Sequence, residues 1–158
     1  ALGAFERTLI TPSRFDAYLE GDREALTPPE LAGLEKFIQL NCTTCHNGVN
    51  VGAYSFQKFG LAGDYWEHTG SEKIDEGRFS VTEDESDRFV FRVASLRNVA
   101  ETGPYFHDGS VESLEEACRI MVTVQLGIEI TDEEVENLAA FLRSLTGEVP
   151  PEALQSTG

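Results

Sequence analysis

Five consecutive residues, Cys42-Thr43-Thr44-Cys45-His46, constrain this chain of 158 residues more than any other feature. Two thiols at this spacing can each bond one vinyl group of a single porphyrin, and the adjacent histidine then reaches the iron as an axial ligand. Other uses of a Cys-x-x-Cys pair fit less well. A structural zinc ion wants a second ligand pair at similar spacing, and only one further cysteine, Cys118, is present. A thioredoxin-type redox pair wants a βαβ setting, whereas the residues before Cys42 read as helix. Three cysteines, two of them in one short motif, are no disulfide framework. The motif therefore points to one covalently attached haem c, with Cys42 and Cys45 as attachment points and His46 on the iron. A chain that must enclose a porphyrin needs helices with one apolar face and loops long enough to wrap it.

The hydrophobic pattern supplies both. Residues Ala1 to Ile10 read as a helix already in progress, with Phe5 and Leu9 on one face and no cap before Ala1, the expectation for part of a larger protein. A short helix follows around Phe15, Tyr18 and Leu19 and ends at Gly21. Thr27-Pro28-Pro29-Glu30 is a capping box with proline at the first helical position. Leu31, Leu34 and Ile38 make an apolar stripe behind it, with Phe37 beside them. From Asn47 to Ser110 the sequence is irregular and glycine-rich, with little strand signal, which suits a wrapper around a large cofactor. Its acidic run, Glu83-Asp84-Glu85-Ser86-Asp87, reads as a solvated loop. Ser113 with Glu116 caps a further helix, on which Leu114, Ala117, Cys118 and Met121 share one face. Thr131 with Glu134 caps the last, lined by Val135, Leu138, Leu142 and Leu145 and stopped by Gly147. The tail from Pro150 to Gly158 reads as loose.

The second axial ligand decides between electron transfer and chemistry at an open iron. The candidates are Met121, His68 and His107. Met121 is the only methionine in the chain, and it sits on an apolar helix face well after the haem motif; core packing is the alternative for it. A thioether favours ferrous iron and so raises the potential. His68 lies in a Gly- and Glu-rich loop, where a surface role is the default. Cys118, one turn before Met121, reads as a small buried apolar residue.

Composition narrows the partners. A net charge of −16 argues against nucleic acid, whose phosphates would repel this surface. It suits a basic protein partner, although solubility alone accounts for it equally well. No apolar run approaches the roughly 20 residues of a membrane helix.

The stretch Arg92-Val93-Ala94-Ser95-Leu96-Arg97-Asn98-Val99, followed by Thr102-Gly103-Pro104-Tyr105-Phe106-His107-Asp108-Gly109, is far more specific. With Leu114-Glu115-Glu116-Ala117, Met121, Gln125-Leu126-Gly127, Phe141 to Gly147, Ala4 to Leu9 and Gln57-Lys58-Phe59-Gly60, it resembles the C-terminal, electron-accepting domain of bacterial dihaem cytochrome c peroxidases. The resemblance covers nearly the whole chain. It implies a periplasmic protein that passes electrons from a small cytochrome c or cupredoxin to a second haem, where hydrogen peroxide is reduced. It implies His46 and Met121 as the axial pair, and Met121 points to the peroxidase branch, since the relatives that mature a quinone cofactor carry tyrosine there. It also implies half of a calcium site at the carbonyls of Thr102 and Pro104, a place for His107 in haem packing or interhaem coupling, and a homodimer. Arg97 is a candidate partner for a haem propionate, with an ion pair to a carboxylate as the equal alternative.

There are two departures. Ala94 stands where that family usually has proline, and only one Cys-x-x-Cys-His motif is present where the family has two. The resulting expectation is an all-α, class I cytochrome c-like fold: residues 1–26 as a linker that would contact a second haem domain, 27–149 as the cytochrome c domain, and 150–158 as a tail. An exposed apolar patch is expected where the other domain would sit. The alternative reading is a stand-alone monohaem cytochrome, or a domain with weak peroxidase activity of its own.

Overall fold

The computed structural model describes residues 11–149; the expected first helix and the tail lie outside them. The helices, in chain order, are α1 (Arg14–Leu19), α2 (Pro28–Gln39), α3 (Tyr65–Thr69), α4 (Phe79–Thr82), α5 (Leu114–Leu126) and α6 (Asp132–Arg143). The long ones begin where the caps place them. The Thr27 N–H donates to Glu30 Oε2 at 2.8 Å, the Glu116 N–H to Ser113 Oγ at 3.0 Å, and the Thr131 N–H to Glu134 Oε2 at 2.8 Å. Each cap satisfies a backbone donor that the first turn leaves free.

The face that α2 buries differs from the expected stripe. Glu30, Gly33 and Phe37 are its buried residues, while Ile38 is 53% exposed. The reason is the crossing with α6. A Cβ at Gly33 would lie 1.9 Å from the carbonyl oxygen of Asn137, so the two helices touch backbone to backbone and a large side chain has no room there. Phe37 then packs on Phe141, with ring centroids 5.3 Å apart, and Phe15 of α1 meets Phe141 edge-on at the same distance. Val135, Leu138, Leu142 and Leu145 are all buried, although α6 ends at Arg143 and Leu145 lies just beyond it.

The long irregular stretch contains short elements that the sequence did not announce, the helices α3 and α4 and a two-stranded ladder. Strands β1 (Phe56–Lys58) and β2 (Val90–Arg92) pair antiparallel, with Gln57 opposite Phe91. Three residues are too short for an alternating pattern to register. This ladder and α5 enclose a second core cluster, in which the fully buried Tyr65 stacks on Phe59 at 4.9 Å. The Tyr65 hydroxyl donates to the Asp75 carbonyl at 3.0 Å and accepts from the Asp75 N–H at 2.9 Å, which satisfies its polar end. The acidic run is exposed, and arginines hold it: Arg78 pairs with Asp87 at 3.1 Å and Arg88 with Glu85 at 2.8 Å.

The crossing makes a testable sign. Glycine to alanine in an ordinary helix interior stabilises by up to about 1 kcal/mol. Gly33→Ala should instead destabilise by roughly 2 kcal/mol or more, because the added methyl must push two backbones apart. Urea unfolding of wild type and variant reads the difference; a gain in stability would contradict the close crossing.

Candidate functional site

One cavity of about 380 Å³ takes its walls from both core clusters. The haem motif enters it from one side. Helix α2 runs out at Gln39, Asn41 takes a left-handed conformation (φ 57°), and Cys42–Thr44 form a 3-10 turn that presents Cys42, Cys45 and His46 to the cavity. Helix α5 supplies another wall through Leu114, Ala117, Cys118 and Met121, the face read from its spacing. Leu138 and Leu142 of α6 complete the apolar lining. Residues 75 positions apart, His46 and Met121, therefore border the same space.

Burial sets the chemistry of the ionisable groups. It pushes the Cys42 thiol up to about 11, and the Cys118 thiol, nine-tenths buried, up to about 12. Both are neutral at pH 7. Burial also holds His46 below the usual imidazole value, against the upward pull of the Val51 and Ala94 backbone. Nδ1 of His46 is sealed from solvent with no hydrogen-bond partner, and it lies on the side of Gly52 and the Ala94 carbonyl. That leaves Nε2 as the ring nitrogen available to the cavity.

These residues fit a haem. Two thiols, a neutral imidazole with one free nitrogen, a thioether and an apolar enclosure are the donor set and the surroundings of a c-type site. Cys42 and Cys45 would hold the porphyrin covalently, and His46 and Met121 would ligate the iron.

No protein-family model matches the chain. It is 46% identical over 151 residues to the cytochrome c551 peroxidase of Pseudomonas aeruginosa, a match covering 95% of this chain and 43% of that protein. The cytochrome c peroxidase Ccp of Escherichia coli is 44% identical over 154 residues, covering 96% of this chain and 32% of that protein. The chain is homologous to the bacterial dihaem cytochrome c peroxidases. It spans less than half the length of these curated relatives and corresponds to one domain of the family. The methylamine utilization protein MauG of Methylorubrum extorquens is more distant, 28% identical over 160 residues, with 94% of this chain and 43% of that protein covered. Among solved structures, a MauG-like protein associated with microbial copper homeostasis superposes with a TM-score of 0.69 at 27% identity, over 93% of this chain and 51% of that one. The diheme peroxidase BthA from Burkholderia thailandensis shares the fold, with a TM-score of 0.63 over 89% of this chain and 49% of that one.

Within this peroxidase-family domain the other sequence-derived residues separate. His107 borders the cavity, stacked on Phe91 with centroids 4.2 Å apart. His68 does not; it lies on α3 beside a different surface hollow. Thr102 and Pro104 border the main cavity, and among the described residues no three His, Cys, Asp or Glu side chains converge on a cation site. Sequence reasoning passed over Gly52 and the Ala94 carbonyl, whose place beside His46 depends on contacts between distant loops. The glycine density from Gly48 to Gly52 was the available hint.

Arg97 is not at the cavity. Its guanidinium forms a bidentate pair with Asp16 at 2.8 and 2.9 Å and donates to the carbonyls of Thr11 (2.8 Å) and Val49 (2.8 Å from Nη2). Every donor direction is thus engaged away from a propionate, and of the two readings of Arg97 this geometry matches the ion pair. The same contacts tie Thr11 and Asp16 to the packed body, in which Leu26 is also buried. Arg97, with the Ser13 N–H and hydroxyl, holds the Asp16 carboxyl well below the usual carboxylate range. A carboxylate whose folded value is depressed stabilises the fold above the unfolded value, near pH ~4, and loses that contribution as pH falls through the lower folded value. Asp16→Asn should therefore cost roughly 2 kcal/mol at neutral pH, and the gap from wild type should close as pH drops below about 4. Denaturant unfolding across pH reads this; a gap independent of pH would contradict the pair.

Proposed function

We propose that this chain is the electron-accepting haem c domain of a periplasmic dihaem cytochrome c peroxidase. It would take electrons from a small redox protein and pass them to a second haem that reduces hydrogen peroxide. The observation that carries this reading is the convergence of Cys42, Cys45, His46 and Met121 on one apolar cavity, together with identities of 44–46% to three cytochrome c peroxidases. When bound, the haem supplies a one-electron ferric/ferrous couple, and a thioether ligand raises its potential.

The residues of the chain do the rest. Cys42 and Cys45 fix the porphyrin in one orientation. His46 is kept neutral by burial, ready to ligate without first losing a proton. Met121 is offered from α5, a helix buried on both sides and therefore held firmly in position. The apolar walls exclude water, which limits the reorganisation that accompanies a change of charge. A helix leading into the Cys42-to-His46 segment and later helices closing the cavity support a class I cytochrome c plan.

The acidic surface favours a basic donor, a small cytochrome c or cupredoxin carrying the complementary patch. Exposed Leu61, Leu126 and Ile128 lie around the end of α5, where the Leu61 N–H donates to Gln125 Oε1 at 3.2 Å, and this apolar surface suits cover by the second haem domain or by a second copy in a homodimer. Calcium between the two domains would draw on the carbonyls of Thr102 and Pro104, with the remaining oxygens from the partner domain.

Ligand exchange separates this reading from a domain with peroxidase chemistry of its own. The haem-loaded wild type should bind neither cyanide nor peroxide at neutral pH, because both axial positions are filled. Met121→Ala should bind both and lower the midpoint potential. Cyanide binding by wild type equal to that of the variant would refute Met121 ligation.

A further inference from the structure

The loop after His46 carries three consecutive residues of positive φ: Val51 (49°), Gly52 (129°) and Ala53 (70°). For a β-branched residue such as Val51 this conformation is rare, and it persists only where the surroundings hold it. Here they do. The Val51 N–H donates to the Gly48 carbonyl at 2.9 Å, the Gly52 N–H to Asn47 at 2.8 Å and the Ala53 N–H to Val93 at 3.1 Å, while the Val51 carbonyl accepts from the Leu96 N–H at 3.2 Å. Arg92 grips the Ala53 carbonyl through Nε and Nη2 at 3.1 and 3.0 Å, and Ser95 Oγ donates to the Asn50 carbonyl at 2.9 Å. The loop is stitched to residues 92–96. Inside the seam lie Gly52, the Ala94 carbonyl and His46 Nδ1. A Cβ on Gly52 would stand 2.2 Å from the Ala94 oxygen and 3.2 Å from Nδ1. Nδ1 is buried and unpaired, and a buried ring N–H without an acceptor is costly.

We propose that Gly52 is a positioning residue for His46: its bare α-carbon keeps open the slot between Nδ1, unpaired in this structure, and the Ala94 carbonyl, the acceptor onto which Nδ1–H closes when the ring is held on the iron. This rests on the reading of His46 as an axial ligand. A hydrogen bond from Nδ1 fixes the tautomer and makes Nε2 more electron-rich, which favours ferric over ferrous iron. A side chain at position 52 fills the slot, keeps Nδ1–H from the carbonyl and removes that bias.

The test compares haem-loaded wild type with Gly52→Ala and, as a control in the same loop, Gly48→Ala. Gly48 also has positive φ (73°), but its Cβ would meet the exposed Tyr54 ring at 2.7 Å, not His46. Both variants should lose stability, and only Gly52→Ala should shift the midpoint potential upward. In ferrous wild type, nitrogen-edited proton NMR should show an Nδ1–H of His46 that exchanges slowly with solvent. An unchanged potential in Gly52→Ala, equal shifts in the two glycine variants, or a rapidly exchanging Nδ1–H overturns the proposal. The exchange measurement decides alone if Gly52→Ala does not fold. Failure of the underlying reading looks different: wild type itself would then lack a low-spin, histidine-ligated haem spectrum.

Discussion

The crossing of α2 and α6 at Gly33 fixes the distance on which the site depends. With the Asn137 carbonyl where a Cβ would otherwise be, the helices approach closely enough for Phe37 on one and Leu138 and Leu142 on the other to form continuous apolar walls of a single cavity. Three residues beyond the end of α2 comes Cys42. The angle at which α2 leaves the crossing therefore aims the whole Cys42-to-His46 segment, and α5, packed against α6 and against the Tyr65 cluster, brings Met121 to the same space.

Carboxylates and ion pairs are arranged around this interior, and the charged side chains that border it are Lys58 and Arg92. The thiols are neutral by burial, the imidazole is neutral by burial, and the long-range ion pairs sit outside the cavity: Arg97 with Asp16, Lys36 with Glu134 at 2.6 Å, and Arg14 with Glu30. Arg97 ties α1 to the loop that follows the haem motif. It also explains why the first described residues belong to the body of the domain.

Much of this was legible in the sequence, for local reasons. A capping box declares itself within four residues, so the starts of α2, α5 and α6 were readable. The attachment motif is contiguous, and the α5 face is a simple i, i+3, i+4, i+7 pattern. What escaped depends on long-range geometry. Leu31 and Ile38 looked like the buried stripe of α2 because hydrophobicity marks burial in general, but at a very close crossing the contact residue is the smallest one, Gly33. Strands of three residues carry no periodic signal. The partner of Arg97 is 81 positions away, and the meaning of Gly52 lies in a carbonyl 42 residues later. Pattern reading sees neither.

His46 and Met121 are proposed to hold one iron between them. The near-infrared magnetic circular dichroism of the ferric, haem-loaded protein tests it most directly, because the energy of the ligand-to-iron charge-transfer band differs between histidine/methionine and bis-histidine pairs. Ligation by this pair gives the histidine/methionine band in wild type and its disappearance in Met121→Ala. A bis-histidine band, which would place His107 on the iron, or a high-spin spectrum with no sixth ligand, would contradict it.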